Sequence, residues 1–106
     1  MALPELTDEQ RREALAKAAA ARQVRAEVKN RLRHSGASVA DVLAEAKRNE
    51  AVAKIKVLDL LQSIPGIGKL TAQQIMADLS IAESRRLRGL GTNQAKGLVA
   101  EIARRG

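Results

Sequence analysis

The sequence predicts an all-α protein of about five helices, a long N-terminal helix followed by a compact helical domain. Two observations carry that expectation. Large aliphatics recur at helical spacing in one segment after another, and strict apolar–polar alternation, the mark of a half-buried strand, is absent. The segment boundaries carry start and stop residues, with Thr, Ser or Asn at the starts and Gly or Pro at the ends. The 106 residues include no Phe, Trp, Tyr or Cys. The core must therefore be built from Leu, Ile, Val, Ala and Met, each large side chain contributing roughly 1.5–3 kcal/mol when fully buried. The expected division is residues 1–34 as a helix or arm and 35–106 as the helical domain.

Thr7-Asp8-Glu9-Gln10 has the capping-box spacing and opens the first helix, which runs to about His34, where Ser35-Gly36 ends it. A rod of roughly 26 residues spans about 40 Å, more than this core needs. Its first half, Ala14 to Ala21, is nearly all Ala with one large apolar side chain, Leu15. That half is expected to project into solvent or to stay disordered until something binds it. The second half has a seam of Ala21, Val24, Val28 and Leu32, with Arg22, Arg25, Lys29 and Arg33 beside it. Ser38-Val39-Ala40-Asp41 opens a short helix, and Asn49 can cap the next segment. From Ala51 to Ile64 the chain is rich in large aliphatics and should be the most buried stretch. Lys54 and Lys56 interrupt it and must reach solvent or a phosphate.

Residues Ser63 to Ala72 read as a tight hairpin between two helices. Pro65 stops the first helix, and Gly66 and Gly68 let a partner approach the main chain closely. Ile67 between them should plug the loop from beneath. The second helix starts at once, so its free N–H groups and positive dipole end face the loop mouth, where Lys69 stands. Such a loop suits an anion. Leu70, Ile75, Met76 and Leu79 should line the helix that follows. From Ser80 to Asn93 the aliphatics are irregular and glycines intervene, which predicts two successive turns tucked in by Leu87 and Leu90. Thr92 or Asn93 should cap a last helix carrying Leu98, Val99 and Ile102.

The formal charge is +7, gathered in basic blocks at 22–34, 47–69 and 84–106 between net acidic ones. That pattern fits a polyanionic partner. Without aromatic side chains the chain cannot stack bases, which argues against a sequence-reading single-strand binder. With one His and no Cys, neither a zinc site nor any other cofactor is expected. No apolar run approaches the roughly 20 residues of a membrane span and no signal-peptide pattern is present, so the expected location is cytoplasmic. Arg85, Arg86 and Arg88 lie within four residues on a double turn. Planar, weakly hydrated guanidinium groups so placed can clamp successive phosphates or enter a narrow minor groove.

Leu61-Gln62-Ser63-Ile64-Pro65-Gly66-Ile67-Gly68-Lys69-Leu70-Thr71-Ala72-Gln73-Gln74-Ile75 resembles a helix-hairpin-helix DNA-binding motif. The two turns before a terminal helix, around Arg85-Arg86-Leu87-Arg88-Gly89-Leu90-Gly91, resemble the helix-two-turn-helix module. That module also occurs in a small-subunit ribosomal protein and in formamidopyrimidine-type DNA glycosylases. Together with Arg25-Ala26-Glu27-Val28-Lys29-Asn30-Arg31-Leu32, the chain is similar over nearly its whole length to the actinobacterial integration host factor family. The resemblance implies a nucleoid-associated protein that binds double-stranded DNA with little sequence preference, bends or compacts it, and assists phage integrase-type recombinases. A monomer is expected in solution. By position, the hairpin phosphate site falls on Gly66, Gly68 and Lys69, and the two-turn cluster on Arg85, Arg86 and Arg88.

Lys29, Arg31, Arg33, Lys54 and Lys56 form a candidate second patch, through which a monomer could bridge two duplexes. If all the cations lie on one side, a single duplex would be bent instead. No catalytic residue is expected. The nucleophilic lysine of hairpin glycosylases aligns with Leu70, no Asp follows Asp78, and Pro4 is preceded by Met1-Ala2-Leu3 rather than standing first. His34 is the single histidine, so Ser35, Ser38 and Ser84 have no evident triad. Two other readings stay open: a ribosomal or RNA-binding structural protein with the same module, and a helical accessory subunit.

Overall fold

A computed structural model describes residues 7–34 and 36–105, and the regular elements among them are helical. In chain order they are α1 (Asp8–His34), α2 (Val39–Ala46), α3 (Glu50–Ala53), α4 (Val57–Gln62), α5 (Lys69–Asp78), a 3-10 turn (Leu87–Gly89) and α6 (Thr92–Arg105). The first caps form as their spacing requires. Gln10 N–H donates to Thr7 Oγ1 at 3.1 Å while Thr7 N–H donates to Gln10 Oε1 at 2.9 Å. Asp41 N–H donates to Ser38 Oγ at 3.1 Å, and Ala51 N–H to Asn49 Oδ1 at 3.0 Å. The last helix differs. Thr92 is already helical, and Gln94 reaches back to accept from Gly91 N–H at 3.0 Å, so neither Thr92 nor Asn93 is the cap.

The aliphatic stretch from Ala51 to Ile64 divides into α3 and α4, so the described residues form six α-helices rather than about five. The cause is a distant strand-like pairing. Lys56 and Arg86 form an isolated antiparallel bridge. Val57 N–H donates to the Arg85 carbonyl and Leu87 N–H to the Ile55 carbonyl, each at 2.9 Å. These bonds hold Lys56 extended, at φ −69° and ψ 140°, and a helix cannot run through it.

Residues 7–20 of the first segment are all exposed, whereas Val28 and Leu32 are buried in the core. The second half of α1 packs on α3, α2 packs on α3 and α6, and α4 packs on α5. Ile55, Leu60, Leu61, Ile75, Met76 and Leu98 are the largest fully buried side chains, so the middle of the chain fills the centre as its composition predicts. Leu70 departs from expectation: it is 83% exposed and lines nothing. Behind it α5 ends in a Schellman motif, Ile81 N–H donating to the Met76 carbonyl at 2.8 Å and Ser80 N–H to Ala77 at 3.1 Å. Ser80 occupies the left-handed position at φ 57°, where glycine is usual.

Candidate nucleic-acid interface

The hairpin is closed by Ile67 N–H donating to the Ile64 carbonyl at 3.1 Å, over Pro65 and Gly66. Ser63, 2% exposed, turns its hydroxyl inward to donate to the Asp59 carbonyl at 2.9 Å. Ile67, 8% exposed, plugs the loop from below. Above it the backbone lies open. Gly66 has φ +85°, which an L side chain rarely adopts, and a Cβ at Gly66 or Gly68 would meet nothing within 4 Å. Gly68 is the N-cap of α5 and supplies no side-chain acceptor, so the first-turn N–H groups keep their capacity for an external anion. Lys69, exposed, is the first residue of that helix.

At the other end of α4 the two-turn segment presents side chains rather than backbone. Arg85 folds over the 3-10 turn and donates to the Gly89 carbonyl at 2.5 Å. Arg86 donates to the Lys54 carbonyl at 2.7 Å, tying the two-turn segment to the junction between α3 and α4. Each bond spends one of the guanidinium's five N–H donors and fixes where the remaining ones sit. Arg88 is exposed and enters no ion pair among the described residues. Leu87, 5% exposed, anchors the turn in the core.

The remaining cations sort differently from their order in sequence. Arg33 lines the same depression as Gln62, Pro65, Gly66 and Gly68, so it belongs with the hairpin. Lys29 shares a groove along α1 with Arg33 and Asn30. Arg31, two residues earlier, faces elsewhere and pairs with Glu45 on α2 at 3.0 Å. Lys54 pairs with Glu50 at 3.3 Å, and Lys56 is held opposite Arg86. Of the five residues of the candidate second patch, Lys29 and Arg33 share one groove, while Arg31, Lys54 and Lys56 are engaged by Glu45, Glu50 and the pairing with Arg86. Arg105 lines a hollow beside Pro65 and Gly66, a placement no sequence pattern signalled. It shares the Glu101 carboxylate with Arg104, at 2.9 and 2.6 Å respectively. The Arg104 hydrogen bond holds the Glu101 carboxyl below the usual carboxylate range, and Arg104 is itself raised in return.

Residues 32–102 match the family model of the S13-like H2TH domain. Across its full length the chain is 58% identical to the integration host factor of Streptomyces coelicolor, covering 99% of that protein. It is 54% identical over 102 residues to the integration host factors of Mycolicibacterium smegmatis and Mycobacterium tuberculosis, covering 96% of this chain and 97% of each relative. The chain belongs to the integration host factor family. A solved structure of sIHF bound to an 8 bp palindromic DNA superimposes with a TM-score of 0.78 at 57% identity, over 81% of this chain and 97% of that one. As a member of this family, the chain keeps the hairpin, the two-turn arginines and Arg33 inside the matched domain, while Lys29 and Arg31 precede it. No helix of the described residues is long and apolar enough to cross a membrane.

Proposed function

We propose that this protein binds double-stranded DNA with little sequence preference and bends or compacts it as an architectural component of the nucleoid. The observation that carries the reading is the open hairpin, where two side-chain-free positions and the start of α5 adjoin Lys69 and Arg33. Gly66, Gly68, Lys69 and Arg33 would hold one phosphate group of the duplex. Arg85, Arg86 and Arg88, with Lys56 beside them, would grip the backbone or the minor groove at the far end of α4. From Lys56 to Ser63 that helix separates the two grips by roughly 10 Å, about the rise of three base pairs along the duplex axis. Contacts to phosphate position a protein without reading bases, hence the low sequence preference. The DNA-bound relative supports the same partner. Family membership supports assistance to site-specific recombination, and Leu70, standing where a hairpin glycosylase needs a lysine, supports a structural rather than a catalytic role.

Fluorescence anisotropy on random-sequence duplex DNA at several salt concentrations tests the reading. Affinity should fall with a log–log slope of about −0.9 for each phosphate neutralised, so several contacts give a steep line. Duplex RNA should compete poorly. Absence of binding at low salt, or preference for duplex RNA, would defeat it. Light scattering without DNA should return a mass near the 11.4 kDa of one chain.

A further inference from the structure

Two large apolar side chains stand exposed among the described residues, Leu15 at 67% and Leu70 at 83%. Leu15 belongs to the exposed arm of α1. Leu70 is the second residue of α5, directly after Lys69 and two positions past the Gly68 cap. The buried face of α5 is Ala72, Ile75 and Met76. At about 100° per residue, Leu70 lies across the helix from that face. Its neighbours on the outward side are Gln74, whose amide donates to Asp78 at 2.9 Å, and Ala77.

An isolated exposed leucine needs no explanation, but its position does. The lip of the hairpin has cations and open amides on one side and an uncharged, apolar projection on the other. A partner that matches it presents an anion beside an apolar wall. A nucleic-acid strand does this at every nucleotide, with phosphate next to sugar. We propose that Leu70 packs against the deoxyribose wall of the minor groove, beside the phosphate taken by the hairpin. The hairpin then holds the strand by one ionic and one apolar contact. This inference rests on the DNA-binding reading of the same loop.

The test compares Leu70→Ala, Leu70→Met, Leu70→Gln, Leu15→Ala and Lys69→Ala in salt-titrated anisotropy on a random-sequence duplex, with thermal melting of each variant. Leu70→Ala should weaken binding roughly tenfold while keeping the wild-type salt slope, because an apolar contact releases no counterion. Its melting should not change, since the side chain buries nothing in the free protein. Leu70→Met should restore affinity and Leu70→Gln should not. Lys69→Ala should instead lower the salt slope by about 1. Wild-type affinity in Leu70→Ala, or an equal loss in Leu15→Ala, overturns the proposal. Failure of the unmodified protein to bind the duplex overturns the DNA-binding reading instead.

Discussion

The two ends of α4 present positive potential in opposite ways. At the hairpin the donors are main-chain amides, exposed because Gly66 and Gly68 carry no side chain. At the two-turn segment the donors are guanidinium groups, and two of them also hold the fold together through the Gly89 and Lys54 carbonyls. The hairpin should therefore be sensitive to added bulk and the two-turn segment to lost side chains. Stability and binding should in turn be separable at the first candidate site and entangled at the second.

The largest effect should come from replacing Arg85, Arg86 and Arg88 together by Ala. Most DNA affinity should vanish while circular dichroism keeps its helical signal. The melting curve should also register the lost ties of Arg85 and Arg86, at a cost of about 1 kcal/mol for these partly exposed bonds. Arg88→Ala alone should weaken binding without that shift. Next, Gly68→Val should weaken binding by about tenfold or more through steric exclusion of the phosphate. Its stability should fall only by the ordinary cost of a β-branched residue at an N-cap, about 1 kcal/mol, because Gly68 has a φ of −87° and open space where the Cβ would stand. A stability loss well beyond that cost would erase the contrast between the two ends.

A smaller effect belongs outside both sites. Ser80→Gly relieves the left-handed position after α5 and should stabilise the fold by about 0.5–1 kcal/mol, read by denaturant unfolding, with DNA affinity unchanged. The smallest expected change is at Glu101, whose carboxylate neutralises Arg104 and Arg105 next to the hairpin. Glu101→Gln should tighten binding slightly and steepen its salt dependence. Because Glu101 stays ionised below the usual carboxylate range, mild acidification should not reproduce that gain.

What was legible in the sequence was what is local in space. Thr7, Ser38 and Asn49 cap because each finds its N–H partner within three residues. Ile67 and Leu87 could be placed inward because small or polar neighbours leave them as the apolar anchors of their turns. The break at Lys54–Lys56 was hidden, since its cause is a backbone pairing with Arg86, far along the chain. The internal bonds of Arg85 and Arg86 were hidden for the same reason. Proximity in sequence groups Arg31 with Arg33, yet two residues on a helix differ by about 200°, enough to send one to Glu45 and the other to the hairpin. The same spacing argument would have turned Leu70 outward.

The proposed phosphate grip at the hairpin consists of the amides of one short loop, and these can be watched individually. Nuclear magnetic resonance of the isotope-labelled protein, titrated with a short DNA duplex, reads each N–H as the complex forms. The Gly66, Gly68 and Lys69 amide protons should move downfield, among the largest changes in the spectrum, as they take up a phosphate. Saturation with DNA that leaves these three amides in place, while other signals shift, would contradict the proposed grip.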